Sequence, residues 1–251
     1  FSKLKNISES LMVTESIFFS FLELKEYETI IVQQMQLKHP LLLNIVDYSY
    51  YYDSDSQLYM IRVYVELFGV NISDSEMTKL PVSEYATIIK ACIEIFDYFL
   101  NVGCTLYSLS PENIFYNSQL NEFRFLIFIQ SREDSNINIE EDIVSERLFF
   151  ASPEIESLFE FMNDEKNKSN AIFVSSLISL YLNYNDSKSF NLNFNEIHKT
   201  DKINELLNIF TSRCKNQNLD DLLRKMTEIN FEKRIDYESL NKELVKIKEI
   251  E

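Results

Sequence analysis

The segment GCTLYSLSPENIF, Gly103–Phe115, is the stretch around which the rest of the chain arranges itself. Upstream lies SEYATIIKACIEIFDYFLNV, where Ile88, Ile89, Cys92, Ile95, Phe96 and Phe99 recur at helical spacing and form one apolar stripe. Ser83 stands near its start as an N-cap, because a short hydroxyl side chain can accept from an orphan helix N–H. Gly103 follows as a natural stop, since glycine takes the left-handed conformation that ends helices at no steric cost. Downstream, NIFYN (Asn113–Asn117) and FRFLIFI (Phe123–Ile129) are short apolar runs that predict a hairpin. Pro111-Glu112-Asn113 by itself is an ordinary turn.

Toward the N-terminus the character is strand-like. MVTESIFFSFLEL (12–24) and QLYMIRVYVEL (57–67) are rich in β-branched and aromatic residues, as half-buried strands are, and LLLNIVDYSYYY (41–52) resembles them. DSDSQ (53–57) supplies turn residues between the last two. Between the first two strands, EYETIIVQQMQLKH (26–39) has helical spacing through Ile30, Ile31, Gln34 and Leu37, and Pro40 ends it. Toward the C-terminus, Ser131–Arg147 is polar and acidic with no period and predicts a loop. Helices are predicted over Pro153–Met162, Asn170–Asn183, Asp201–Phe210, Leu219–Ile229 and Tyr237–Ile250. A strand-rich part followed by a helix-rich part predicts an α+β architecture in two lobes.

Composition removes several function classes. The chain has 251 residues and a net charge of −16, from 24 basic and 40 acidic side chains. Such a surface repels phosphate backbones, and no basic patch offsets it, so nucleic acid is not an expected partner. The longest apolar run, Ala171–Leu182, is interrupted by Ser175, Ser176 and Ser179, so no membrane span is expected. FSKLKNISESLM at the start lacks a signal-peptide apolar core, and the cysteines Cys92, Cys104 and Cys214 are scattered without metal-ligand spacing. The expectation is a reducing, cytoplasmic setting with no resident metal or cofactor. Only His39 and His198 are available for histidine chemistry, and only Gly69 and Gly103 are glycines. No G-x-G occurs, so the Rossmann and Walker phosphate cradles are excluded.

The order of these pieces carries a resemblance. GCTLYSLSPENIF resembles the catalytic loop of protein kinases, G-I-V-H-R-D-L-K-P-E-N-I-L, matching at Gly103, Leu109, Pro111, Glu112, Asn113 and Ile114. His39-Pro40 resembles the step after helix C, Leu58–Glu66 the fifth strand and hinge, and Phe123–Ile129 the strand leading into DFG. Ser152-Pro153-Glu154 resembles APE, NAIFVSSLISLYL (170–182) the D-I-W-S-x-G-V-I-L-Y-x-L helix, and Phe231–Arg234 the P-x-x-R before the last helix. One such match is cheap; a series in register over most of the chain is not. The resemblance implies a bilobal kinase-like fold in a single domain. A small strand-rich N-lobe with helix C would span 1–66, and a larger helical C-lobe 67–251.

The same resemblance implies that the phosphate chemistry is gone. Leu106, Tyr107 and Ser108 stand where His-Arg-Asp should be, and a serine hydroxyl is far too weak a base to replace the aspartate. Ser110 replaces the lysine that would steady the γ-phosphate, while Asn113, the second metal ligand, is kept. Ile127-Phe128-Ile129 stand at DFG, and a lone amide oxygen without an anionic companion is a poor magnesium site. NISESLMVTE (6–15) stands at the glycine-rich loop without a glycine. Lys25 is the nearest candidate for the nucleotide-anchoring lysine, with a plain surface lysine the favoured reading. Ile30 falls at the helix C glutamate position with Glu28 nearby. Ala171 replaces the aspartate that would hold the catalytic loop. Glu154 and Arg234 are both retained, which implies the buried ion pair that braces the lower lobe.

The expected function is therefore a catalytically inactive pseudokinase domain. It would act as a protein-binding scaffold, an allosteric regulator or part of a complex, with one or more proteins as partners. The alternative is a residual nucleotide-binding enzyme or switch. The acidic run REDSNINIEEDIVSER (132–147) reads as a solvated loop, or more sharply as a docking strip for a basic partner.

Overall fold

Leu11–Phe18 alternates inward and outward as a strand must: Met12 and Thr14 are buried, and their neighbours face away. This strand, β2, belongs to a computed structural model that describes residues 5–6, 11–73, 81–106, 109–127, 130–131, 152, 164–184 and 200–248. It follows the two-residue β1 (Lys5–Asn6) and pairs antiparallel with β4 (Leu58–Glu66), which pairs in turn with β3 (Ile45–Asp53). The sheet order is β1-β2-β4-β3, so β3 is an edge strand. It has four strands among the described residues.

Helix α1 (Phe21–Gln36) begins where the sequence predicts continued strand. The reason is a capping box. The Ser20 side chain accepts from the Glu23 N–H at 3.2 Å, and the Glu23 carboxylate accepts from the Ser20 N–H, also at 3.2 Å. Two orphan donors are satisfied at once, which starts the helix five residues before its apolar rhythm becomes visible. Leu24 and Ile31 then bury against Met12, Ile61, Val63 and Val65 of the sheet. Each such side chain, fully removed from water, contributes about 1.5–3 kcal/mol.

The chain divides into two compact units, 1–70 with 115–130, and 71–114 with 131–251. The hairpin β7 (Ile114–Asn117) and β8 (Glu122–Phe125) forms as predicted, in a three-stranded sheet ordered β5-β7-β8 with β5 (Val70–Asn71). It contributes Phe115 and Leu126 to the core of the first unit, where Phe125 exchanges backbone bonds with Leu41 and Leu43. A further short pair joins β6 (Cys104–Thr105) and β9 (Gln130–Ser131).

The second unit is helical. α2 (Val82–Asn101) buries the predicted stripe, but its N-cap is Pro81. Ser83 lies within the first turn instead, its carbonyl accepting from the Thr87 hydroxyl at 3.2 Å, because Pro81 already sets the extended backbone an N-cap needs. α3 (Asp164–Tyr184) is buried on every face from Asn170 to Leu180. Its three serines tolerate this because each donates to a carbonyl of the preceding turn: Ser175 to Ala171 at 2.6 Å, Ser176 to Phe173 at 2.6 Å, Ser179 to Ser175 at 2.9 Å. α4 (Thr200–Arg213), α5 (Gln217–Met226) and α6 (Tyr237–Lys248) complete the described helices. Tyr85 of α2 meets Phe210 of α4 edge-on at 5.6 Å. The helix predicted over Pro153–Met162 lies outside the described residues. So does the loop predicted over Ser131–Arg147, apart from Ser131 itself, which is in β9. Among the described residues no helix is long and apolar enough to cross a membrane.

Candidate functional site

The loop Gly103–Phe115 starts where α2 ends. Gly103 has φ +73° and donates its N–H to the Leu100 carbonyl at 3.2 Å, the left-handed turn that only glycine adopts cheaply. Leu106 and Leu109 bury and anchor the loop, while Tyr107 and Ser108 lie outside the described residues. Ser110 is extended and precedes a single 3-10 turn, Pro111–Asn113, with the proline at its first position. The Ser110 hydroxyl donates to Asn113 Oδ1 at 2.8 Å, and the Asn113 N–H returns a bond to the Ser110 carbonyl at 3.0 Å. Asn71 clamps the same turn by donating from Nδ2 to the Glu112 carbonyl at 2.6 Å. Ser110 and Asn113 are thus brought together, but as partners of each other: the amide oxygen that would face a metal accepts from a neutral hydroxyl. Among the described residues no three His, Cys, Asp or Glu side chains gather as a metal cage would require.

In the first unit, Ile127 is buried, and Phe128 and Ile129 lie outside the described residues. The strand before α1, Leu11–Phe18, contains no lysine or arginine. Lys25 is instead on α1 itself, where its Nζ lies 2.5 Å from Glu28 Oε2 and donates to the Tyr50 hydroxyl at 3.2 Å. Glu28 also accepts from the Tyr48 hydroxyl at 3.0 Å. The bond from Lys25, and to a lesser extent that from Tyr48, holds the Glu28 carboxyl below the usual glutamate range against the opposing effect of burial. Lys25 and Glu28 therefore do form an ion pair, one turn apart on a single helix rather than from strand to helix. Ile30 is half-buried beside fully buried Ile31.

The hinge-like stretch is already engaged by its own chain. Asn117 Nδ2 donates to the Phe68 carbonyl at 2.6 Å, and the Glu66 N–H donates to the Asn44 carbonyl at 3.0 Å. Glu66 also holds Arg124 at 3.0 Å and the Asn44 side chain at 3.0 Å. Gly69 is needed there, because a Cβ would stand 2.3 Å from the Tyr116 carbonyl oxygen. Asn44, Asn71 and Asn117 were missed in sequence; nothing but their placement beside turns could have pointed to them.

Scaffold positions in the second unit are well held. The Ser152 N–H donates to Asn170 Oδ1 at 2.8 Å, tying the APE-like segment to α3. Ala171 is fully buried. Arg234 is buried, donates to Ser169 Oγ at 2.7 Å, Ser169 O at 3.2 Å and Glu228 O at 2.9 Å, and stacks over Phe173 at 4.9 Å. Glu154 lies outside the described residues. Beside Arg234 a groove of 460 Å³ is lined by Lys168, Phe231, Asp236 and Tyr237 among others. Burial raises the Tyr237 phenol and the Asp97 carboxyl, the latter opposed by Lys168 and by Tyr237 itself. Burial likewise raises the Cys92 thiol, which behaves as a small core residue.

No protein-family model matches this chain, and no curated protein matches it. Among solved structures it is similar to the protein kinase Rad53, in the crystal structure of its residues 1–466 in complex with AMP-PNP, with a TM-score of 0.59 and 11% identity. The likeness covers 92% of this chain and 56% of that one. The chain has a protein-kinase-like fold. Its antiparallel sheet with α1 forms the small N-terminal part of that fold, and its helices the larger C-terminal part. At this identity the likeness speaks for the fold; the chemistry has to be argued from the residues.

Proposed function

We propose that this kinase-like domain is catalytically silent: a pseudokinase that works by binding one or more proteins, without holding nucleotide or magnesium. The observation that carries the reading is the state of Asn113. Its oxygen accepts from Ser110, in a loop whose base position is Ser108, and Ile127 stands at the metal-binding aspartate position. Magnesium demands hard, mostly anionic oxygens, and phosphoryl transfer depends almost wholly on such charge neutralisation. The absence of a cation on the strand before α1 and the occupied Phe68 carbonyl support the same reading. The proposal includes a Glu154–Arg234 ion pair as a brace, since a buried guanidinium calls for an anion. It also includes a cytoplasmic setting, supported by the free thiols of Cys92, Cys104 and Cys214.

The test is thermal unfolding of the chain with and without ATP, ADP and Mg²⁺ or Mn²⁺. A ligand bound only to the folded state at a hundred times its dissociation constant adds about 2.7 kcal/mol. For a domain of this size that raises the midpoint by roughly 5–10 °C. No shift is expected. A clear shift with Mg-ATP sinks the proposal in favour of a second reading, a nucleotide-binding switch or residual enzyme. The kept Asn113 and the AMP-PNP bound by the structurally similar Rad53 favour that reading.

A further inference from the structure

Large apolar side chains are exposed together at one corner of the first unit. Phe19 is 83% exposed, Leu22 69%, Tyr52 52%, Phe21 46% and Tyr50 44%. Phe21, Tyr50 and Tyr52 are neighbours in space, and Phe19 and Leu22 flank Phe21 along the chain. Strand register sets Phe18, Tyr59 and Tyr52 side by side across β2, β4 and β3. The Tyr59 ring lies 5.6 Å from Phe21 and 4.9 Å from Tyr52. Lys25 bridges the rest, its Nζ 5.4 Å from the Phe21 ring centre and 4.5 Å from that of Tyr50. Scattered exposed apolar residues need no explanation, but a contiguous aromatic patch with a polar rim marks a docking surface. The corner is also rigid, because the Glu23 carboxylate accepts from the N–H groups of both Phe19 and Ser20.

Charge identifies the occupant. Glu23 and Glu26 lie on α1 close in sequence to Phe21 and Leu22, Asp53 follows Tyr52 at the end of β3 with Asp55 in the turn after it, and Lys25, over the Phe21 and Tyr50 rings, is paired with Glu28. Residues 11–70 hold eight carboxylates against Lys25, Lys38 and Arg62. A second copy of the chain would bring the same acidic rim and a net charge of −16 against this one, which disfavours self-association. We infer that the patch receives a basic amphipathic segment of a partner protein. Apolar side chains would seat among Phe19, Phe21, Leu22, Tyr50 and Tyr52, and lysines or arginines would reach the rim. The inference rests on the protein-binding reading above and gives it a surface and a partner chemistry.

The experiment is fluorescence anisotropy on the full chain. The probes are a labelled amphipathic peptide of leucine and arginine and its twin with every arginine replaced by glutamate. The arginine peptide should bind and the glutamate twin should not. Leu22→Ser combined with Phe19→Ser should weaken binding at least about tenfold with an unchanged melting midpoint. Glu26→Lys should weaken it by roughly threefold and flatten its salt dependence. Equal binding of the two peptides, or binding indifferent to the serine pair, overturns the inference. So does a concentration-dependent dimer in sedimentation that the serine pair abolishes, which would assign the patch to a second copy. A nucleotide-induced midpoint shift with peptide binding intact would sink the silent-domain reading and leave this surface standing; absent peptide binding with inert nucleotide would do the reverse.

Discussion

Removing the Arg234 guanidinium should cost the second unit much of its stability. Arg234 is 6% exposed, and three of its donors reach oxygens within 3.2 Å: Ser169 Oγ, Ser169 O and Glu228 O. A hydrogen bond from a charged donor contributes about 1.5–3 kcal/mol net, and the stack over Phe173 about 1–2 kcal/mol where desolvated. These terms do not add, because the freed carbonyls recover part of the loss with water. The expected cost of Arg234→Met is therefore about 3–5 kcal/mol, the usual figure for breaking one side of a buried charged network. For a chain of this length that lowers the thermal midpoint by roughly 10 °C. Arg234→Lys keeps the charge but not the planar fork that reaches Ser169 and Glu228 together, so it should lose about half as much. Both are read by thermal and urea unfolding. A double-mutant cycle with Glu154→Gln adds the proposed pair, with an expected coupling of at least about 1 kcal/mol. A drop under about 3 °C for Arg234→Met would refute the reasoning, because the buried fork would then be carrying nothing that water cannot replace.

Three further outcomes are expected. Ser20→Ala removes the capping box and should cost about 1 kcal/mol in urea unfolding, with Thr or Asp at the same position restoring most of it. Gly69→Ala pushes a methyl against the Tyr116 backbone and should destabilise by about 2 kcal/mol or more. Gly103→Ala, where nothing lies within 4 Å but φ is +73°, should cost only about 1 kcal/mol. Glu28 is held below its unfolded value, so the unfolded chain binds the extra proton. Its contribution is present above the ordinary glutamate value of about 4.3 and is lost as pH falls through the lowered folded value. In Lys25→Met that acid-side loss should flatten in a pH series of melting midpoints.

The parts of the fold that were legible in sequence are those where one signal dominates. The α2 stripe from Ile88 to Phe99 has a strong period, and glycine, at Gly103, is the residue type that takes the positive φ after it most cheaply. The start of α1 was misread because Phe21–Leu24 looks like strand by composition, while Ser20 and Glu23, three apart, carry the deciding interaction. Lys25 was legible as a residue but not as a partner. An i,i+3 pair with Glu28 follows from helical spacing only once the helix is known to begin at Phe21. The Ser110–Asn113 bond was not legible at all. It depends on the rotamers of a three-residue turn, and the same letters fit an open metal ligand equally well.

The apolar residues Ile127 and Ala171 fit the proposed reading through their burial. Both positions are buried, Ala171 within a helix enclosed on all sides and Ile127 directly after the core residue Leu126. A carboxylate at either place needs a cation or several donors, or it costs several kcal/mol and takes up a proton. In an active kinase the metal and the catalytic loop supply those partners. Within the loop itself, Leu106 and Leu109 are buried and apolar and Ser110 is spent on Asn113. Without such partners an apolar residue is the more stable choice at either buried position. On the proposed silent reading these residues form one consistent set, compatible with a domain that folds without phosphate chemistry.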